Sequence, residues 1–96
     1  MELTDAIKQY VEDKLTSLEK YYDNITHIEV DLGLETHHHN KGEIYNCAVT
    51  VEVPNKVFRV EKTEKNLYKA IDKVRDHLRE EMTAWKEKMR DSHRTE

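Results

Sequence analysis

Residues 63–90, TEKNLYKAIDKVRDHLREEMTAWKEKMR, carry the clearest periodic pattern in the chain. Their apolar side chains recur at steps of three or four residues, at Leu67, Ile71, Val74, Leu78, Met82, Trp85 and Met89. This spacing places them along one stripe of an α-helix, as is typical of a surface that faces a core. Thr63 is the predicted N-cap, and Glu64 suits the positive end of the helix dipole. The pattern therefore predicts a helix roughly 40 Å long, which closes a core with its first half and presents cations with its second.

The sequence before this helix predicts a shorter helix and three strands. Thr4 is placed to cap a helix that runs to about Tyr22, with an apolar stripe at Ile7, Val11, Leu15, Leu18 and Tyr22. Three segments then alternate between apolar and polar residues, which indicates half-buried strands. Their predicted inward residues are Ile28, Val30, Leu32 and Leu34, then Tyr45, Cys47, Val49, Val51 and Val53, then Phe58 and Val60. Residues 54–56, Pro-Asn-Lys, provide turn residues between the last two strands.

The predicted element order is α-β-β-β-α, which belongs to the α+β class. Short connections between consecutive strands favour an antiparallel meander, with both helices packed on one face of the sheet. The chain has 96 residues, with no repeat, linker or low-complexity tract, so residues 1–96 are expected to form a single domain.

Composition narrows the functional classes. No apolar segment approaches the roughly 20 residues of a membrane span, and no signal peptide is recognisable, so a cytoplasmic location without a membrane partner is expected. The net charge of −4 argues mildly against a nucleic-acid partner. However, residues 1–55 hold four basic and eleven acidic side chains, whereas residues 56–96 hold twelve basic and nine acidic ones. This asymmetry indicates a surface that faces a polyanion.

Few residues suggest catalytic or metal chemistry. His37, His38 and His39 are candidate metal ligands, but adjacent residues in a loop cannot all converge on one ion, so a solvated loop is favoured. Cys47 is expected to be a buried thiol and not a nucleophile. Neither a nucleophile–base arrangement nor a glycine-rich phosphate loop is recognisable. We therefore expect no enzymatic activity, no metal, no cofactor and no small-molecule substrate.

Two features of the long helix have alternative interpretations. Trp85 could stack on a base, but it continues the apolar stripe, so packing within the fold is favoured. The second is a basic set, Arg75, Arg79, Lys86, Lys88, Arg90 and Arg94. These cations could neutralise phosphates, or they could pair at i,i+4 with Asp72, Asp76, Glu80, Glu87 and Asp91. Beyond Trp85 the cations outnumber the acids, so a phosphate-facing role is strongest there.

Several segments form a recognisable series along the chain, at residues 3–7, 10–11, 14–15, 18–22, 28–32 and 48–55. Residues 67–72, Leu-Tyr-Lys-Ala-Ile-Asp, and residues 86–88, Lys-Glu-Lys, continue it in the long helix. In order and spacing these segments resemble the ribosome hibernation promoting factor family, also called ribosome-associated inhibitor A or sigma-54 modulation proteins, and residues 67–72 resemble the family's signature. The resemblance covers almost the whole chain.

This resemblance implies a β-α-β-β-β-α fold without catalytic activity. It implies binding to the small ribosomal subunit and its 16S-type RNA, in the channel for messenger and transfer RNA at the A and P sites. Translation would thereby be inhibited in stress or stationary phase. The residues that correspond to the family's RNA-binding positions are Lys14, Lys86, Lys88 and Arg90, followed by Lys8, Arg79 and Arg94. The resemblance assigns Tyr68, Ile71 and Asp72 to the helix start and the core.

The chain departs from the family pattern in three places. The family's first strand has no counterpart, because residue 1 already enters the first helix. Either the sequence is a truncated product, or the strand is truly missing and an exposed sheet edge is expected, through which a homodimer could form. Glu80 and Glu81 replace a basic or neutral pair, and Ala84 and Trp85 replace a common Lys-His, which lowers the positive potential. The C-terminal dimerisation domain of long family members is also missing, as in the short form.

Two other functions fit parts of the pattern. The order α-β-β-β-α is also that of a double-stranded-RNA-binding domain, but such domains carry a basic cluster where this chain has Glu64, Lys65 and Asn66. A protein-interaction module could instead recruit a partner chain to the exposed sheet edge.

Overall fold

The computed structural model describes residues 4–22, 24–36 and 43–94, apart from the side chains of residues 21, 35, 36, 43 and 90–94. Two helices enclose a meander of three strands, in the order α1 (Asp5–Tyr21), β1 (His27–Thr36), β2 (Glu43–Val53), β3 (Lys56–Glu64) and α2 (Leu67–Arg94). The strands pair in the order β1-β2-β3, and both pairings are antiparallel. The predicted α-β-β-β-α fold is confirmed. The run of histidines at residues 37–39 lies outside the described residues.

The predicted start of α1 is confirmed, but that of α2 is wrong. Thr4 caps α1, since its hydroxyl accepts a hydrogen bond of 3.2 Å from the backbone N–H of Ile7. Thr63, the predicted cap of α2, lies instead in β3, opposite Asn46 of β2. The cap is Asn66, whose Oδ1 accepts hydrogen bonds from the backbone N–H groups of Tyr68, at 2.8 Å, and Lys69, at 3.3 Å.

The hairpin between β2 and β3 turns at Pro54 and Asn55, as predicted. Val53 pairs with Lys56, so the loop contains two residues. Asn55 has a φ of 70°, in the left-handed region that asparagine tolerates better than most residues. Proline followed by a residue with positive φ is the combination that a type II turn requires.

The core lies between α2 and the inner face of β2 and β3. Its buried residues are Leu18 and Tyr22 of α1, Cys47, Val49, Val51 and Val53 of β2, Phe58 and Val60 of β3, and Leu67, Ala70, Ile71, Val74, Leu78 and Met82 of α2. The predicted inward faces of β2 and β3 are therefore confirmed. Helix α2 contacts β2 and β3 directly, and α1 packs beside α2.

Strand β1 is covered less well than its neighbours. Within the described parts of the chain it pairs with β2 alone, and its inward residues Val30 and Leu34 remain 37% and 40% exposed. Ile28 and Leu32 are partly buried against the core. The inward face of β1 was predicted correctly, but among the described residues the backbone of α2 comes close to β2 and β3 and not to β1.

Trp85 marks the point where α2 leaves the core. Its ring lies 5.8 Å from that of Tyr22 and 5.9 Å from that of Phe58, in a tilted and an edge-on arrangement. These contacts confirm that Trp85 packs within the fold. Because α2 has 28 residues, its last turns continue past the sheet, and the molecule reaches 56 Å in its longest dimension. No helix in the described part of the chain combines the length and hydropathy needed to cross a bilayer.

Candidate nucleic-acid interface

The surface where α1 meets α2 holds a polar network, which we call the Asp72 network: Tyr10, Lys14, Tyr68 and Asp72. The Tyr10 hydroxyl donates a hydrogen bond of 2.7 Å to Oδ1 of Asp72. Nζ of Lys14 lies 3.4 Å from the same oxygen and 5.1 Å from the centre of the Tyr10 ring. The Tyr68 ring packs edge-on against that of Tyr10, with centres 4.8 Å apart. The network therefore joins α1 to the first turns of α2.

The Asp72 network fixes the protonation state of Tyr10. The hydrogen bond to Asp72, together with burial and the negative charge of Asp72, raises the pKa of Tyr10 to about 12. Arg75 acts in the opposite direction on this pKa, which places its positive charge near the same network. The phenol of Tyr10 donates the hydrogen bond, and the carboxylate of Asp72 accepts it.

A groove follows the Asp72 network along the same pair of helices; we call it the terminal groove. Its lining residues are Leu18 and Tyr22 of α1 and Arg79, Met82, Thr83, Lys86 and Glu87 of α2, and its volume is about 180 Å³. Nζ of Lys86 lies 5.8 Å from the centre of the Tyr22 ring, within the range of a cation–π contact. Burial raises the pKa of Tyr22 above its ordinary value. The groove therefore combines an apolar floor with two cationic side chains.

The predicted RNA-binding residues do not share one surface. Lys14 is part of the Asp72 network, whereas Arg79 and Lys86 line the terminal groove. Lys88 is exposed, but two residues along a helix correspond to a rotation of about 200°, so it faces away from Lys86. Lys8 is exposed on α1, about 120° around that helix from Lys14. Arg90 and Arg94 belong to α2, but their side chains lie outside the described ones.

Two ion pairs on α2 differ from the predicted i,i+4 pairs. Nε of Arg75 lies 2.8 Å from Oδ1 of the adjacent Asp76. His77 and Glu81, which had not been predicted to pair, form an i,i+4 contact at 3.0 Å. Glu81 therefore has a local partner, which reduces its effect on the potential around the terminal groove when His77 is protonated.

Asp72 is the residue whose role was missed. The resemblance assigned Tyr68, Ile71 and Asp72 to the helix start and core; Tyr68 does lie in the first turn of α2, where it is 39% exposed, and Ile71 is buried in the core. The side chain of Asp72 is 40% exposed and joins the two helices. Tyr10 and Lys14 are spaced at i,i+4, which indicates that they share a face of α1. Their partner on α2 is 62 residues from Tyr10 and depends on how the helices pack.

The outer face of the sheet, opposite the helices, has a different charge. Its described charged residues are Glu29, Asp31, Glu52 and Glu61, with Arg59 as a cation. Nδ2 of Asn46 donates to Glu61 at 2.9 Å, and Arg59 donates to the hydroxyl of Thr50 at 3.3 Å. This face is predominantly acidic, so of the two faces the helical one is better suited to a polyanion.

Cys47 takes no part in either surface. Its side chain lies in the core at 1% exposure, and burial raises the pKa of its thiol to about 11. A neutral, buried thiol is not an activated nucleophile, which agrees with the prediction that it behaves as a small hydrophobic residue. In the described parts of the chain, no group of three or more His, Cys, Asp or Glu side chains is placed to hold a metal ion.

Comparison with known proteins shows to which family the chain belongs. The profile of the Sigma 54 modulation protein / S30EA ribosomal protein family matches residues 1–90. The chain belongs to this family. Similar curated proteins are the ribosome hibernation promotion factors of Lactococcus lactis, 30% identical over 89 residues, and Deinococcus radiodurans, 33% identical over 86 residues. The matches cover 93% and 90% of this chain but 46% and 44% of those proteins, so the chain spans less than half their length.

Solved structures support membership of the Sigma 54 modulation protein / S30EA family. The N-terminal domain of Protein Y from Thermus thermophilus is 30% identical, has a TM-score of 0.69, and is matched over 88% of both chains. A ribosomal subunit interface protein from Coxiella burnetii has a TM-score of 0.74, with 90% of this chain and 88% of that chain matched. The latter is 16% identical, so it supports the fold alone. The predicted family and its α+β fold are thus confirmed.

Proposed function

We propose that the chain is a ribosome hibernation domain that binds the small ribosomal subunit and inhibits translation. The observation that carries this proposal is membership of a family whose curated members are named ribosome hibernation promotion factors. The cations on the helical face support it, because folded RNA attracts basic side chains to its phosphates without base readout. The protein would act by binding alone in the cytoplasm, without catalysis, cofactor or small-molecule substrate.

The proposed binding site is the channel that messenger and transfer RNA occupy at the A and P sites. The molecule is long and narrow, measuring 56 × 29 × 17 Å, which suits a channel better than a compact body of equal mass would. Within this proposal the contacts to 16S-type RNA involve Lys14, Arg79, Lys86, Lys88 and Arg90, with Lys8 and Arg94 as outlying contributors. Occupying the channel would exclude the RNA molecules that translation requires.

Sedimentation with purified small subunits through a gradient tests the proposal. We expect co-sedimentation at low salt that fades as salt rises, because phosphate neutralisation releases counterions. A triple variant, Lys86→Ala with Lys88→Ala and Arg90→Ala, should dissociate at lower salt. Initiator tRNA and messenger bound beforehand should block association, whereas large subunits alone should give none. Failure to co-sediment at any salt would exclude the proposal.

A second candidate function rests on the uncovered β1. The outer edge of β1 has no partner strand among the described residues, and two apolar residues of β1, Val30 and Leu34, are exposed. Such an edge is suited to pairing with another chain, including a second copy of this one. Analytical ultracentrifugation tests this second function. If a second copy pairs with β1, the protein should sediment as a dimer, and the substitution Leu32→Pro should abolish the dimer. The match to the Sigma 54 modulation protein / S30EA family covers residues 1–90, which argues against the alternative of a double-stranded-RNA-binding domain.

A further inference from the structure

We propose that the outer edge of β1 binds an extended segment of a separate protein in which apolar and basic residues alternate. This inference rests on the second candidate function, pairing at β1, and names the chemistry of the partner. Within the described residues β1 pairs with β2 alone, so the backbone groups along its other edge have no partner strand. An added strand would form hydrogen bonds with these groups, as in other proteins that bind peptides at a sheet edge.

The inner side of this edge favours apolar residues in the partner. Val30 and Leu34 lie on the inner face of the sheet but are 37% and 40% exposed, and Leu32 between them is partly buried. Val49, which pairs with Val30 on β2, is by contrast buried. Because the side chains of a strand alternate between its two faces, every second residue of an added strand would lie beside these side chains. Apolar residues at those positions would remove the exposed apolar surface from water.

The outer side of the same edge favours basic residues. Glu29 and Asp31 are exposed on the outer face of β1, and no ion pair in the described part of the chain involves either carboxylate. Both line a groove of about 170 Å³ that also includes Thr50 and Arg59. Arg59 opposes a cation there, but it lies on β3, two strands from the edge, and donates a hydrogen bond to Thr50. Lysine or arginine on an added strand would lie beside the two acids, and opposite charges on neighbouring strands stabilise their pairing.

The same two acids disfavour a second copy of the chain as the occupant. Two β1 strands that pair antiparallel, with their apolar sides on one face, would bring acids together. In registers centred on Val30 or Asp31, Glu29 would lie opposite Asp31, or Asp31 opposite its own copy. Like charges directly opposite each other destabilise a strand pair. The charges therefore favour a basic, alternating segment of another protein.

The test uses two short labelled peptides, one alternating valine with lysine and the other valine with glutamate, at concentrations at which neither associates with itself. Fluorescence anisotropy would measure their binding to the wild type, to Glu29→Lys with Asp31→Lys, and to Glu61→Lys. We expect the wild type to prefer the lysine peptide. The double variant should bind that peptide about tenfold more weakly and should prefer the glutamate peptide.

Glu61→Lys is the matched control, because it reverses an acid on the same outer face but on β3. It should change the binding of the lysine peptide by less than about twofold. Val30→Thr with Leu34→Thr retains strand-forming residues but removes apolar contact, and should weaken binding severalfold. Circular dichroism of each variant would verify that the fold is retained.

Amide hydrogen exchange tests the mode of binding. Alternate residues of β1 should exchange more slowly when the lysine peptide is bound, because only every second backbone N–H points toward the added strand. Equal binding of both peptides by the wild type, or an equal loss in Glu61→Lys, overturns the basic partner but leaves pairing at β1 intact. Binding of neither peptide, or protection that appears away from β1, overturns both. These measurements contain no ribosomes, so their failure does not affect the proposed hibernation function.

Discussion

Tyr10 and Asp72 are joined by a hydrogen bond of 2.7 Å, although 62 residues separate them in the chain. The bond connects the middle of α1 to the first turns of α2. Helix α1 packs beside α2, and this polar contact supplements the apolar anchoring of α1 by Leu18 and Tyr22. The same carboxylate also orients Lys14, a proposed RNA-binding residue, so the contact bears on both stability and binding.

Tyr10→Phe should lower the free energy of unfolding by about 1 kcal/mol, because Asp72 loses a charged-acceptor hydrogen bond on a partly exposed surface. Urea denaturation measures this change. Tyr68→Phe is the control, since the Tyr68 ring contacts Tyr10 but its hydroxyl does not bond to Asp72. Equal losses in the two variants would mean that ring packing, and not the hydrogen bond, stabilises the helix pair.

Stability should fall in alkaline solution partly through Tyr10. Its folded-state pKa is raised to about 12, above the ordinary value of 10, because the protonated phenol is bonded to Asp72. The contribution is therefore complete below pH 10 and is lost as the pH rises from 10 to 12. The difference in unfolding free energy between wild type and Tyr10→Phe, measured in urea at successive pH values, should shrink over this window. A constant difference would contradict the assignment.

Trp85→Ala should destabilise the fold by about 2–3 kcal/mol, less than the loss of a fully buried tryptophan, because the ring is only half-buried. The variant loses the contacts with both Tyr22 and Phe58. Thermal or urea unfolding gives the magnitude. Trp85→Phe keeps an aromatic ring at this position and should cost less than half as much. A neutral Trp85→Ala would show that α2 already leaves the core before this residue.

Gly33 and Asn46 should be energetically coupled. A Cβ on Gly33 would lie 2.4 Å from Oδ1 of Asn46, so Gly33→Ala forces that side chain away from Glu61. The lost hydrogen bond offsets the strand preference of alanine over glycine, and the single variant should be nearly neutral. Introduced into Asn46→Ala, Gly33→Ala should stabilise by about 0.5–1 kcal/mol. A double-mutant cycle in urea measures the coupling, and strict additivity would contradict it.

Glu87→Gln should strengthen binding to the small subunit, because it removes a carboxylate from the terminal groove. A charge interaction of about 1 kcal/mol at close range in water corresponds to roughly fivefold in affinity. Glu81→Gln removes the same charge, but from a residue paired with His77 on another side of α2, and should change affinity less. Fluorescence titration with labelled small subunits compares the two. An equal gain would point to net charge alone.

Local periodicity was sufficient to predict the fold. The stripe from Leu67 to Met82 and the alternation in each strand correctly gave the element order and the buried faces, because both depend on residue spacing. The end of β3 was not predictable in this way. Thr63 resembles a helix cap, yet its backbone pairs with Asn46, and the strand continues to Glu64. Pairing of Thr63 with β2 outweighed its local preference for a helix-cap position, so Asn66 caps α2 instead.

The candidate site was predicted less completely, for a related reason. Lys14 and Lys86 could be selected by residue type and by resemblance, but their surroundings depend on the packing of α1 on α2. Asp72 beside Lys14 and Tyr22 beneath Lys86 are contacts between residues distant in sequence. Helical spacing alone, by contrast, places Lys86 and Lys88 on different sides of α2. The sequence could therefore have shown that these two cations do not belong to one surface.

The acidic outer face of the sheet affects how the molecule could settle on RNA. Glu29, Asp31, Glu52 and Glu61 would be repelled by phosphates in any pose that turned the strands toward the nucleic acid. Wrong orientations would therefore be disfavoured by like-charge repulsion, in addition to whatever the helices gain by attraction. A net charge of −4 is then compatible with a polyanionic target, because the acids on the outer face would disfavour one orientation and leave the helical face free to bind.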